Sequence, residues 1–104
     1  MGYSAAPSAF AYPTGPMDER RKRLKFRAWR RGFREIDLIL GGFADQHLPN
    51  LDAEAVDAFE RLLEAPDQDV YLWITGQAPA PPEHETLLMA AIRTFCSELN
   101  KPRP

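Results

Sequence analysis

The stretch FREIDLILGGFADQ, residues 33–46, decides the fold class. Ile36, Ile39, Leu40 and Phe43 fall at i, i+3, i+4 and i+7, the spacing that lines one face of an α-helix. Gly41 and Gly42 sit inside that pattern, and each costs about 1 kcal/mol against alanine in a helix. A weak point or a close helix contact is therefore expected at this pair.

Working towards the N-terminus, Asp18 to Arg30 reads as a second helix. Asp18 and Glu19 occupy its first turn, where the helix dipole favours acids, and Gly32 marks its end. Working the other way, Pro49 and Asn50 form a loop. A helix then runs from Ala53 to Glu64, with Asp52 as N-cap and Val56, Phe59, Leu62 and Leu63 on one face. Pro66 separates it from a helix over Gln68 to Thr75, with Asp67 as N-cap, Val70, Trp73 and Ile74 facing inward, and Gly76 as the C′ residue. The run VYLWI within it would also suit a strand, but no second strand exists to pair with it. After the loop QAPAPP, Pro82 enters the first turn of a last helix from Glu83 to Leu99, whose inward stripe is Leu88, Ala91, Ile92 and Phe95. These segments predict an all-α fold: a compact five-helix bundle with flexible N- and C-terminal tails. The divisions are a leader over 1–17, a helical domain over 18–99 and a tail over 100–104.

Composition narrows the function. A chain of 104 residues supports one domain with a modest core and little room for a deep pocket. Its one cysteine, Cys96, forms no internal disulfide, which fits a reducing compartment. No run approaches the roughly 20 apolar residues of a membrane helix, so no membrane insertion is expected. Residues 1–17 carry no charged side chain and lack the basic start and unbroken apolar stretch of a signal peptide. The net charge of −2 conceals an asymmetry: residues 18–34 carry +7 and the remainder −9. A basic N-terminal helix on an acidic body suggests an anionic partner.

Few residues point to catalysis. His47, His84 and Cys96 are isolated in sequence and show no metal-ligand spacing, so no metal site and no catalytic residue is expected. Gly41-Gly42 lacks the strand and spacing of a phosphate loop. The segment RRKRLKFRAWRRGFR interleaves cations with Phe26, Trp29 and Phe33, which suits nucleic acid but equally suits a solvated basic face over a core stripe. Arg31-Gly32-Phe33-Arg34-Glu35 is the most informative stretch. Two guanidiniums flank a glycine at a helix–helix corner, where glycine permits close backbone approach or a positive φ. Glu35 follows Arg31 by four residues, within reach of its guanidinium.

At these residues the sequence resembles a known family, the SdhE-type FAD assembly factors of succinate dehydrogenase. Its signature, Arg-Gly-x-x-Glu at the first corner, stands here as Arg31, Gly32 and Glu35, within RKRLKFRAWRRGFREIDLILGGFAD. The second block of the family is matched by FERLLEAPDQDVYLWITGQ, and the resemblance covers residues 18 to 96. It implies a small helical bundle with a non-enzymatic role. It further implies binding to the flavoprotein subunit of succinate dehydrogenase, and in bacteria also that of fumarate reductase. The family promotes covalent attachment of FAD to a histidine of that partner.

The implied partner-binding residues are Arg31, Gly32 and Glu35, with Phe26, Arg30, Arg34 and Asp37 as neighbours. No FAD is expected to bind tightly to this chain itself; the cofactor is held by the partner flavoprotein. A monomer in the bacterial cytoplasm is expected, since the leader lacks the basic character of a transit peptide. Arg27 departs from relatives that carry a bulky aromatic there. Two other readings stay open: a small basic-helix nucleic-acid binder, and the antitoxin component of a toxin–antitoxin pair.

Overall fold

Asp18 starts the first helix, its carboxylate accepting the Arg21 backbone N–H at 2.8 Å. That bond satisfies one of the donors a helix leaves unpaired at its start. The computed structural model describes residues 18–101, so the leader and the last three residues of the expected tail lie outside the described residues. The elements are α1 (Glu19–Ala28), α2 (Arg34–His47), α3 (Ala53–Leu63), α4 (Asp67–Thr75) and α5 (Leu87–Leu99), with 3-10 turns at Leu48–Asn50 and Pro82–His84. The expected all-α bundle of five helices is what folds, with no strand among the described residues. None of these helices is long and apolar enough to cross a membrane.

Helix α2 is the spine. Ile36, Ile39, Leu40 and Phe43 are all buried on the expected face. Phe43 stands where three helices meet, its ring centroid 6.1 Å from Phe59 of α3 and 5.9 Å, edge-on, from Phe95 of α5. Fully burying such a side chain is worth about 1.5–3 kcal/mol. The expected close contact at the glycine pair is also present. A Cβ on Gly41 would lie 2.5 Å from Cε2 and 2.7 Å from Cε3 of Trp29, so the indole rests directly on the α2 backbone. Its Nε1 donates to Asp45 at 3.2 Å.

Four local expectations are corrected. Helix α1 ends at Ala28, before Arg30, because the chain turns early enough to lay Trp29 over Gly41. Pro66 rather than Asp67 is the N-cap of α4, which frees the Asp67 side chain for another role. The last helix starts at Leu87, not Glu83. Pro82–His84 forms a 3-10 turn, and Thr86 then caps α5 by accepting the Met89 N–H at 3.1 Å. Ala91 faces solvent, while Met89 and Cys96 fill the stripe with Leu88, Ile92 and Phe95. Gly76 closes α4 with φ of 81°, the left-handed cap its position suggests.

Ion pairs fasten the outer layer. Arg20 of α1 reaches Asp57 at 2.7 Å and Glu60 at 2.5 Å on α3. Arg21 donates to the Leu48 carbonyl at 3.1 Å and the Leu51 carbonyl at 2.5 Å, bracing the first 3-10 turn. On the far side Arg93 grips Glu85 through two bonds of 2.7 and 3.1 Å, and its Nε donates to the Trp73 carbonyl near the end of α4. Trp73 in turn stacks on the buried His84, centroids 5.2 Å apart.

Candidate protein-docking corner

The connection between α1 and α2 is four to five residues of turn held by an internal clasp. Arg31 is its centre. Its guanidinium crosses to the α3–α4 corner, where Nη1 donates to the Leu63 carbonyl at 2.7 Å and Nη2 to the Ala65 carbonyl at 3.1 Å. Nη2 also meets the Asp67 carboxylate at 2.5 Å. Leu63 ends α3, where helix geometry leaves carbonyls without an internal partner and a cation is favoured, and Ala65 lies in the turn that follows. Only 9% of the Arg31 side chain remains exposed. A planar guanidinium can serve three acceptors at once, which a lysine ammonium on its flexible stem cannot do in the same geometry.

Two neighbours complete the clasp. Asp37, one turn into α2, accepts the Arg31 backbone N–H at 2.6 Å, so the peptide is held at both its main chain and its side chain. Gly32 lies at the surface, and its φ is not in the left-handed region, since Gly76 is the glycine found there. Its necessity is steric: a Cβ at Gly32 would stand 2.6 Å from Oδ2 of Asp67. The glycine makes room for the carboxylate that neutralises Arg31.

This geometry corrects the expected pairing of Arg31 with Glu35. The guanidinium takes Asp67, thirty-six positions away, and Glu35 is exposed with no ion pair among the described residues. Glu35 instead stands at the mouth of a groove between α2 and α5, about 450 Å³ in volume, walled by Trp29, Leu38, Tyr71 and Leu99. Sequence reasoning treated Asp67 only as a cap. No local signal in the sequence marks this second task, because the partner it serves is distant along the chain.

The remaining expected site residues are at the surface. Phe26 is 59% exposed, with the Arg30 guanidinium 4.1 Å above its ring, a cation–π arrangement. Arg34 opens α2 and is exposed. Phe33, the N-cap residue of α2, tucks its ring edge-on against Tyr71 at 5.3 Å. The corner therefore divides in two. Arg31, Gly32 and Asp37 act inward, whereas Phe26, Arg30, Arg34 and Glu35 face outward.

Two grooves among the described residues, of about 450 and 500 Å³, meet along Gln46, Phe95 and Leu99, and neither is lined by lysine or arginine. They carry Glu35, Asp45 and Glu98 carboxylates, which would repel a pyrophosphate. These residues do not fit FAD as a resident group. Among the described residues no cluster of three or more His, Cys, Asp or Glu could hold a metal ion. Burial pushes the Cys96 thiol up from its ordinary range, which disfavours the reactive thiolate.

Comparison with known proteins bears on this corner. Residues 22–96 match the family described as the flavinator of succinate dehydrogenase. The chain is 34% identical over 90 residues to the FAD assembly factor SdhE of Acetobacter pasteurianus, covering 83% of each protein. It is 33% identical over 93 residues to succinate dehydrogenase assembly factor 2-A, mitochondrial, of Drosophila yakuba, and 32% identical over 91 residues to assembly factor 2, mitochondrial, of Drosophila grimshawi. Those alignments cover 88% and 86% of this chain but only 57% and 62% of the insect proteins. The chain thus spans somewhat more than half the length of these mitochondrial relatives.

Proposed function

The chain belongs to the family described as the flavinator of succinate dehydrogenase, and we propose on that footing that it is a binding protein, not an enzyme, which promotes covalent attachment of FAD to the flavoprotein subunit of succinate dehydrogenase. The observation that carries this reading is the match over residues 22–96, which spans both blocks of the fold and the whole clasped corner. The FAD assembly factor SdhE of Acetobacter pasteurianus, alike over most of both chains, supports the same role.

The physical argument concerns positioning. Joining a histidine to the flavin ring requires the two to be held at attack distance while negative charge gathers on the ring. Fixed geometry and fixed positive charge both lower such a barrier. A small rigid bundle that grips a mobile part of the flavoprotein supplies the first. Its clasped corner is suited to this because Arg31 ties α1, α2 and the α3–α4 corner into one body. The histidine, the flavin and the bond formed belong to the partner, and this chain contributes no reacting group. Arg31, being buried, contributes by shaping the docking face.

Deletion of the gene in its host tests the reading. The succinate dehydrogenase flavoprotein is resolved on a denaturing gel and its covalent flavin read by in-gel fluorescence, with the fumarate reductase flavoprotein, where the host has one, as a second client. Loss of fluorescence on deletion, restored by the wild-type chain, supports the proposal. Undiminished fluorescence in the deletion strain overturns it.

A further inference from the structure

We propose that the outward face of α1, formed by Arg23 and Phe26 with Arg27 on its flank and extended by Arg30 from the turn just after the helix, docks on a carboxylate-rich patch of its protein partner. The inference rests on the functional reading above and adds the chemistry of the surface that the flavoprotein presents there.

The argument begins with which cations the fold consumes. Arg20 is spent on Asp57 and Glu60, Arg21 on Asp18 and two carbonyls, and Arg31 on Asp67. Lys22 lies 3.8 Å from Glu19, and Lys25 lies 3.3 Å from Asp45. Arg23, Arg27 and Arg30 make no ion pair with any described residue. Arg21 and Lys22 answer the segment's own two acids, and Arg20, Lys25 and Arg31 are answered by acids of the body, so four charges of the +7 are left over: Arg34 at the start of α2, and Arg23, Arg27 and Arg30 on α1 or just beyond its end.

The last three of these share a place. Positions 23 and 26 are spaced i and i+3 on α1, on the side away from the buried Leu24 and Ala28, and Arg30, two residues past the helix, joins them through its contact with Phe26. The Arg30 guanidinium carbon sits 4.1 Å from the Phe26 ring centroid, a cation–π contact that restrains the side chain before any partner arrives. A stacked guanidinium still offers its N–H edge, the fork that matches a carboxylate through two parallel bonds. Ordering it in advance removes part of the entropy that docking otherwise costs. An exposed aromatic beside arginine is also the composition of protein-interface hot spots.

The same facts disfavour nucleic acid. One face of the Phe26 ring, where a base would stack, is taken by Arg30. Carboxylates of Asp18 and Glu19 on α1 and of Asp45 beside Lys25 flank the stripe. A phosphate backbone tracking along the whole helix would meet these acids as well as the arginines. A compact carboxylate cluster needs only the stripe itself.

The test uses the purified full chain and the succinate dehydrogenase flavoprotein from the same host, loaded with FAD. Binding of wild type is compared with the double variant Arg23→Ser/Arg30→Ser, and with Arg61→Ser/Lys101→Ser, which removes equal charge elsewhere. Duplex DNA and single-stranded RNA are titrated in parallel. Because Arg23 and Arg30 make no ion pair among the described residues, and the variant loses only the exposed contact of Arg30 with Phe26, worth about 0.5–1 kcal/mol, it should melt close to wild type. Its Kd for the flavoprotein should rise at least about tenfold and its salt dependence flatten, while the control stays within about twofold of wild type. A stripe variant that binds the flavoprotein as wild type does overturns the inference and leaves the functional reading standing. Wild type that ignores the flavoprotein at every salt concentration overturns both. Tighter binding to DNA or RNA than to the flavoprotein replaces the acidic protein patch with phosphate.

Discussion

Replacing Gly32 by alanine should change sign with the residue at position 67. The added methyl carbon would stand 2.6 Å from Oδ2 of Asp67, 3.5 Å from its Cγ and 3.7 Å from its Cβ. Only the oxygen is too close, so the carboxylate must swing away by something under an ångström. Being rigid, it carries with it the oxygen that meets Arg31 Nη2 at 2.5 Å. Weakening a bond between charged groups costs about 1.5–3 kcal/mol. Against this, alanine reduces the freedom of the unfolded chain, which stabilises by about 0.4–1 kcal/mol where φ allows it, as it does at Gly32.

Gly32→Ala should therefore destabilise the isolated chain by a net ~1–2 kcal/mol, lowering Tm by about 4–8 °C per kcal/mol for a domain of this size. In an Asp67→Ala background the clash is gone and only the unfolded-state term remains, so the same substitution should raise stability slightly. Four melting curves or urea titrations, on the wild type, both single variants and the double, complete the cycle. An equal cost for Gly32→Ala in both backgrounds would refute the account of Gly32 as the seat of Asp67.

Other outcomes follow from the same geometry. Arg31→Lys keeps the charge but loses the fork that serves Leu63, Ala65 and Asp67; urea titration should show a loss of about 2–3 kcal/mol, and stability equal to wild type would contradict it. Gly41→Ala forces the Trp29 indole off α2, an overpacking cost of about 1–3 kcal/mol less about 1 kcal/mol of helix propensity. In a Trp29→Ala background it should instead stabilise, with Tm as the readout. The Arg93 guanidinium holds the Glu85 carboxyl below its ordinary range, and the Arg21 backbone N–H does the same for Asp18. A carboxyl depressed in the folded state contributes stability that is present above its unfolded pKa and lost as pH falls through the folded one. Glu85→Gln should thus lower Tm at neutral pH and reduce the further loss on acidification below the usual carboxylate range; an unchanged acid limb in a Tm-versus-pH series would argue against the pair. Cys96, buried and with its thiol raised, should react with an aromatic disulfide reagent only at the rate of unfolding.

The parts of this molecule that could be read from its sequence are those set by local periodicity. The stripes of α2 and α3 are written in residues three and four apart, so Ile36 to Phe43 and Val56 to Leu63 fall where expected. Asp18, Asp52 and Gly76 declare helix ends through short-range bonds alone. What was not legible is what distance in sequence conceals. The partner of Arg31 is thirty-six residues away, and a nearer acid, Glu35, offered itself at ordinary helical spacing. The start of α5 was misplaced because Pro82 can open either an α-helix or a 3-10 turn, and only the Thr86 cap, which prevails, separates them. The basic segment looked like one continuous face. It took the acids of α2, α3 and α4 to show that Arg20, Lys25 and Arg31 turn inward and that Arg23, Arg27, Arg30 and Arg34 are what remains.

Reconstitution from purified parts tests the central claim most directly. Flavoprotein subunit carrying unattached FAD is incubated with and without this chain, and covalent flavin is followed over time by fluorescence on a denaturing gel. The account predicts that the wild-type chain accelerates attachment, that Arg23→Ser/Arg30→Ser requires a higher concentration for the same rate, and that Asp67→Ala, with its clasp broken, does less at any concentration. Attachment at one rate with or without the chain would contradict it.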